Sequence, residues 1–370
     1  MQPTRNMTVG QTTAILISTI IGVGILRLPL ASVEQAETGA PLLTLLFTVT
    51  AFVGMWGIAK LGSLFPDETF VEYSERIIGK WLGRLYTFII IAFFTLLTGF
   101  AAREFGAVVV TSVLQRTPIE VTVIVMLLMA AVFTRGDMNS FTYIHSFYLP
   151  IILVPLLIIV LVSLKDANPL YLQPVLGNGF KMITGIPQGA ALFQGAFILA
   201  ILIPFMQKPK KAFKASFWGV AISGCFFIMI VVSTLALFGT EEIKTIMWPT
   251  LEIARATSFP GNTLQRLDVI FLAIWVTAVF TTIFSNYMLT IQALKQFLRL
   301  QDHKMLTLFL LPIIFLIAML PGETIEMYRY IKIAGTYGLI LTFAFPFLLL
   351  IVAKIRKWQK KKKNEKGARK

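Results

Sequence analysis

Ile21-Gly22-Val23-Gly24-Ile25-Leu26, followed by Leu28-Pro29, lies in the middle of the first long apolar run of the chain. Each glycine costs a helix about 1 kcal/mol relative to alanine, so two glycines one residue apart disfavour a continuous helix there. Unwound backbone at membrane depth is tolerated only where protein or a water-filled cavity satisfies its polar groups. A helix broken at this point exposes free N–H groups at the start of its second half, suited to a carboxylate. It also exposes free carbonyls at the end of its first half, suited to an ammonium group or a cation. The competing reading is close packing, the commonest use of glycine in membrane helices.

Working outward, ten apolar runs reach or approach the roughly 20 residues that a bilayer-crossing helix needs. They lie near residues 11–33, 41–63, 82–112, 119–135, 143–164, 186–207, 214–238, 266–294, 305–320 and 332–353. Transporters built from inverted repeats carry matching breaks in their two halves. With five spans per repeat, the partner of span 1 is span 6, which reads Pro187-Gln188-Gly189-Ala190-Ala191-Leu192-Phe193-Gln194-Gly195-Ala196-Phe197. A polar Gln194 beside Gly195 at mid-span, with Pro204 further on, marks the expected second break. Spans 3 and 8 are long enough to flank such a site at a strong tilt. The expected fold is therefore an all-α polytopic membrane protein of ten transmembrane helices in a 5+5 inverted repeat. Residues 1–353 form a single transmembrane domain, with repeats at about 11–164 and 186–353, and 354–370 form a basic tail.

Composition supports a membrane protein. Of the 370 residues, 56% are hydrophobic and only 14% are charged, against about a quarter charged in soluble domains. A soluble enzyme, a disordered chain and a disulfide scaffold are excluded; Cys225 is the single cysteine. The net charge of +15 is concentrated at one end, because residues 354–370 hold ten Lys/Arg and one Glu. Such a run beside an apolar span suits a membrane surface, either as a lipid contact or as an orientation anchor, rather than nucleic acid. With the N-terminus cytoplasmic, inner segments hold 23 Lys/Arg and outer segments 8, so both termini are expected inside. The polar segment MQPTRNMTVGQ ahead of span 1 is followed by no small-residue cleavage site, so that span is expected to be retained.

Two connections look structured. Thr69 and Glu72 have capping-box spacing, and Phe70, Tyr73, Ile77 and Trp81 recur at helical intervals, which predicts a short amphipathic helix on the cytoplasmic face. Residues 241–257 predict two helices broken at Trp248-Pro249 in a long outer loop that is either a simple connection or a lid. Polar residues inside spans are functional suspects. In span 8 these are Thr281, Thr282, Ser285 and Asn286, whose hydroxyls either ligate a cation or substrate or bond to their own helix. Arg27 and, in span 3, Arg103 and Glu104 are possible vestibule or gate groups; the alternative for the arginines is snorkelling to headgroups. His145 and His303 read as surface histidines, with no acidic, Cys or His neighbour at metal-ligand spacing. No catalytic residue, metal site or cofactor is expected, since no Ser/His/Asp set, P-loop or paired catalytic carboxylate occurs.

Several stretches carry a family resemblance over nearly the whole length. They are Ile21-Gly22-Val23-Gly24-Ile25-Leu26 with Leu28-Pro29; Gly79-Lys80-Trp81-Leu82-Gly83; Arg116-Thr117-Pro118-Ile119; Pro174-Val175-Leu176-Gly177-Asn178-Gly179; and Trp248-Pro249-Thr250. The last two are the more specific. On these the chain resembles the B subunits of Ger-type (GerA/GerB-like) spore germinant receptors, within the amino acid–polyamine–organocation superfamily. The resemblance implies a LeuT-like fold and a nutrient sensor in the spore inner membrane, working with A-type and C-type receptor subunits and membrane lipid. It implies a pocket between spans 1, 3, 6 and 8, formed by Gly22, Val23 and Gly24, Phe93 and Leu97, Phe193, Gln194, Gly195 and Phe197, and Thr281 and Thr282. Some relatives have Tyr at the position of Phe93, and Arg27 replaces an uncharged residue. The expected ligand is a small neutral amino acid. An ion-coupled amino-acid permease is the alternative on the same fold, and a scaffold without ligand would leave the glycines of spans 1 and 6 unexplained.

Overall fold

The computed structural model describes residues 5–177, 179–257 and 267–367. Asn178 of the resemblance motif, residues 258–265 of the long outer loop and the side chains of most of the basic tail lie outside what is described. The described residues are nearly all helical. No strand occurs among them, only an isolated bridge between Met7 and Met206.

The helices are α1 (Val9–Ile20), α2 (Leu28–Ala36), α3 (Ala40–Leu64), α4 (Phe70–Ile78), α5 (Lys80–Ser112), α6 (Ile119–Thr134), α7 (Met138–Ser163) and α8 (Gly179–Ala190). They continue with α9 (Leu199–Leu202), α10 (Ala212–Thr245), α11 (Pro249–Ala256), α12 (Leu267–Leu298), α13 (Lys304–Met319), α14 (Thr324–Leu339) and α15 (Phe345–Gly367). Seven helical stretches are long and apolar enough to cross a membrane: 28–64, 80–112, 138–166, 181–205, 209–245, 269–298 and 324–356. Three shorter apolar helices, Val9–Ile20, Ile119–Thr134 and Lys304–Met319, accompany them.

Local chemistry sets the ends. Thr8 caps α1 through a reciprocal box with Gln11, and Asp137 caps α7 by accepting from the Ser140 N–H at 2.9 Å. Hydrogen bonds from the Ser140 side chain and then from its N–H favour the charged form and hold the Asp137 carboxyl below its ordinary range. Thr69 and Glu72 form the box that starts α4, and its Phe70, Tyr73 and Ile77 are buried. Trp81 does not share that face: it belongs to the first turn of α5 and is 88% exposed. Gly83 permits the close approach of α4, since a Cβ there would fall 2.5 Å from the Glu75 backbone. In the outer loop, helix α10 ends at Thr245 and α11 starts at Pro249, so the chain breaks around Trp248.

Two interruptions position the site. Helix α1 stops at Ile20; Ile21 is extended, Val23–Ile25 form a 3-10 turn, and helix resumes at Leu28. Between α8 and α9 the residues Ala191–Ile198 run as a 3-10 segment rather than an α-helix. The 3-10 segment packs against α1, α12 and α14. A third irregularity is the π turn Ile340–Ala344 between α14 and α15. The Tyr86 hydroxyl donates to the Leu341 carbonyl there at 3.0 Å, satisfying a carbonyl in the altered ladder.

Candidate functional site

The end of α1 is held by hydroxyls. Thr281 donates to the Ser18 carbonyl at 2.9 Å, and Thr282 donates to the Thr19 carbonyl at 3.0 Å. These carbonyls belong to the last turn of α1, which leaves them without partners inside the helix. The two span 8 threonines therefore bond across to span 1. Thr281 also lies 2.9 Å from the Ala278 carbonyl of its own helix. Gly22 makes the approach possible, because a Cβ there would meet Thr282 Oγ1 at 1.8 Å and Thr282 Cβ at 2.7 Å.

On the other side of the interruption, a Cβ at Gly24 would meet the tip of Leu192 at 2.3 Å. Gly24 and Leu192 line a cavity of about 360 Å³ with Leu97, Gln194, Arg27 and Glu104. Gln194 is buried, donates through Nε2 to the Gly335 carbonyl, and leaves Oε1 without a partner. Asn286 Oδ1 is likewise buried and unpartnered, and it lies 3.6 Å from where a Cβ of Gly195 would sit. Gln194 Oε1 lies instead 2.9 Å from where a Cβ of Gly338 would sit. A buried carbonyl oxygen without a partner costs about 1–3 kcal/mol, and a ligand N–H or O–H reaching it would recover that.

The cavity carries both charge signs. Arg27, Arg329 and Lys332 line it with Glu34 and Glu104. Arg27 stacks its guanidinium on the Tyr328 ring, 4.0 Å from the centroid. The Tyr328 hydroxyl donates to Glu104 Oε1 at 3.0 Å and accepts from Trp248 Nε1 at 2.8 Å. Thr250 donates through Oγ1 to the Ile25 carbonyl at 2.7 Å, and its N–H donates to the Leu26 carbonyl at 3.3 Å. Trp248-Pro249-Thr250 therefore fastens the outer loop to the interruption of span 1 and to the cavity wall.

The sequence-derived site residues divide into three groups. Gly24, Leu97 and Gln194, with Arg27 and Glu104, line the cavity. Gly22, Gly195, Thr281 and Thr282 form the joint around the end of α1. Val23, Phe93, Phe193 and Phe197 are buried packing residues. Phe193 packs against Phe47 and Phe227, Phe197 against Phe70 and Phe94, and Phe93 against Phe94. A Cβ at Gly338 would also strike the Phe93 ring, at 2.2 Å. Arg103 points elsewhere, with Nη1 3.7 Å from Met319 Sδ and Nη2 3.5 Å from the Gly322 carbonyl.

Sequence reasoning missed one wall of the cavity, contributed by α14: Tyr328, Arg329, Lys332 and Gly335. Arg329 and Lys332 counted only as outer-loop charges, although Tyr328 and Lys332 stand four apart on one helical face. It also misread both histidines. His145 is fully buried, with Nδ1 2.6 Å from Ser18 Oγ and Nε2 3.1 Å from Ser285 Oγ. His303 Nε2 is bonded at 3.0 Å to the Thr134 carbonyl and 3.3 Å from that of Gly136. Span 5 turns His145 toward spans 1 and 8, and no spacing rule anticipates partners so distant in sequence.

Residues 6–327 match the family described as spore germination protein. The chain is similar to Spore germination protein YndE of Bacillus subtilis (strain 168), 28% identical over 96% of this chain and 98% of the relative. It is similar to Spore germination protein B2 of the same organism, 26% identical over 95% and 96% of the two chains. Spore germination protein A2, again from that organism, is 24% identical over 93% and 94%. With a shared family pattern over most of its length and full-length relatives of that name, the chain belongs to the spore germination protein family.

Proposed function

We propose that this protein is the nutrient-sensing membrane subunit of a spore germination receptor and binds its germinant in the cavity beside the interruption of span 1. The observation that carries this reading is the cavity of about 360 Å³, lined by Gly24 and Gln194, with the unpaired Gln194 Oε1 buried in its wall. A lining with both charge signs suits a zwitterion, and Gln194 Oε1 is an acceptor for its ammonium group. These features support a small neutral amino acid as the ligand. The ligand shifts the receptor only if it binds two arrangements of the interrupted helices differently.

In this reading the helices form ten spans in two inverted sets of five, of the LeuT type. Support comes from the interruption at residues 21–27 and the 3-10 run at residues 191–198, each in the first span of its set. The transmembrane domain would extend over residues 1–353, with both termini cytoplasmic and the protein in the spore inner membrane. Partners would be A-type and C-type subunits. The relatives' names, spore germination proteins B2 and A2, support a role in germination.

The test is dipicolinic acid release from spores lacking this gene, against a panel of amino acids, sugars and nucleosides. Loss of response to one nutrient class, restored by the wild-type gene and not by a Gln194→Leu gene at equal protein level, is the expected result. An unchanged response across the panel, with ion-driven uptake of an amino acid in proteoliposomes, would favour a permease instead.

A further inference from the structure

Helices α3 and α10 each carry a stripe of aromatic rings that leads to a lysine. Phe52, Trp56 and Lys60 stand four residues apart along α3. Lys210, Phe213 and Phe217 follow one another at steps of three and four, from the turn Pro209–Lys211 into α10. Such steps keep side chains on one face of a helix. The two helices pack on each other, and the rings of Phe52 and Phe217 meet 5.2 Å apart. At 1.5 Å per residue, each lysine then lies about 11 Å beyond that ring pair along its own helix. The stripes therefore run side by side in opposite chain directions, with both lysines at the same end.

There the two lysines line a cavity of about 400 Å³, with Trp56, Ser63, Leu64 and Phe213. Trp56 is fixed by stacking on Phe347 of α15, 5.9 Å between centroids. Ser63 donates to the Ala59 carbonyl at 2.7 Å. The side-chain donors the lining offers are thus two ammonium groups and the Trp56 indole N–H.

The charge here is uncompensated. Lys60 and Lys210 are exposed, as are Lys208, Lys211 and Lys214 beside them. Among the described residues none of these five pairs with a carboxylate. The acidic groups that follow α3 are engaged elsewhere, Asp67 by Arg5 and Glu68 by Arg76. The start of α10 adds the positive end of its dipole.

From this pairing we infer that the cleft between α3 and α10 is a binding site for an anionic phospholipid. Its phosphate sits between Lys60 and Lys210, and its acyl chains lie along the two aromatic stripes. Basic pockets between transmembrane helices suit anionic headgroups, and tryptophan prefers the headgroup level, where one edge is apolar and the other polar. A free phosphate would satisfy the lysines but leave the rings uncovered, Trp56 at 41% and Phe213 at 46% exposure. A lipid meets both halves of the cleft.

The test is native mass spectrometry of the full-length protein released from nanodiscs of mixed phosphatidylglycerol and phosphatidylcholine, which counts the tightly held lipids of each kind. Wild type should retain phosphatidylglycerol in preference. Lys60→Gln with Lys210→Gln should lower that retention at least about tenfold, and Trp56→Ala should weaken it. Removing two charges from the basic tail instead, by Lys361→Gln with Lys362→Gln, should leave it close to wild type. Equal retention of the two lipids, or equal loss from the two double variants, overturns the site, since general attraction to a basic protein would explain either. Inorganic phosphate is offered in a parallel arm. If wild type binds it, the Lys60/Lys210 variant does not, and no lipid preference appears, the occupant is free phosphate and the lipid assignment falls. No readout involves a nutrient, so the outcome is independent of the germinant cavity.

Discussion

The hydroxyl of Thr250 donates to the carbonyl of Ile25 at 2.7 Å. A loop residue some 225 positions away thus completes the backbone of the interrupted first span. Thr250 is buried, so Thr250→Val keeps the shape and leaves a carbonyl without its hydroxyl donor. That should cost about 1–3 kcal/mol and raise the nutrient concentration needed for half-maximal germination. Thermal unfolding of the purified protein and dipicolinic acid release check the two effects. Thr250→Ser, which keeps the hydroxyl, should retain most of both.

Gly22 and Gly24 should respond differently to a methyl group. At Gly22 the new carbon falls 1.8 Å from Thr282 Oγ1 and 2.7 Å from Thr282 Cβ, atoms close to the backbone of α12. At Gly24 it meets only the end of Leu192, a flexible side chain. Gly22→Ala should cost about 1–3 kcal/mol as overpacking and abolish the nutrient response, while Gly24→Ala should be milder. A double variant with Thr282→Ala should recover part of the loss, because the two residues share one contact. Equal damage from both glycine variants would contradict this packing.

Removing the orphan acceptor tests the cavity without a large stability effect. Gln194→Leu deletes an oxygen that has no partner and a hydrogen bond to a helix carbonyl. Stability should change by less than about 1 kcal/mol, whereas nutrient sensitivity should fall at least tenfold. Germination dose curves at matched protein level decide it.

Tyr328→Phe should separate the loop from the cavity wall. The change keeps the ring under Arg27 but removes the hydroxyl shared by Trp248 and Glu104. Glu104 is buried, so losing its donor should cost about 1–3 kcal/mol. Pairing the change with Glu104→Leu should restore part of that, since the buried carboxyl is then gone and only the Trp248 Nε1 donor is left without its partner. Thermal unfolding of the four proteins in the cycle measures the coupling.

At the start of α7, Asp137→Ala should cost about 1 kcal/mol through loss of the cap. Because the Ser140 side chain and N–H together hold this carboxyl below its ordinary range, its contribution is present at neutral pH. The contribution fades as pH falls through the lowered value, so the gap between wild type and variant should narrow in acid. Thermal midpoints at several pH values check the sign.

The apolar runs made the membrane class and most helix positions legible in the sequence, because twenty consecutive apolar residues have few other uses. Gly22 and Gly24 marked the interruption for a local reason, two costly residues in one turn. The wall from α14 was not legible: Arg329 and Lys332 looked like loop charges, and only the packing of α14 on the 3-10 run brings them to the cavity. The family resemblance puts Phe193 and Phe197 in the pocket, whereas their rings pack into the core. His145 was misread because its partners, Ser18 and Ser285, lie 127 and 140 residues away. Hydropathy reports depth in the membrane, and neighbours of that kind are set by tertiary packing.

The rings of Phe193 and Phe197 bear on how the 3-10 run can move. Phe193 is clasped by Phe47 and Phe227, and Phe197 by Phe70 and Phe94. The short run that carries Gln194 is therefore a crossbar keyed through Phe193 into α3 and α10 and through Phe197 into α4 and α5. Close-packed rings do not slide continuously past one another; they change places in whole rotamer steps. A crossbar of this kind resists small displacements, so any shift of Gln194 has to carry the rings at both ends with it.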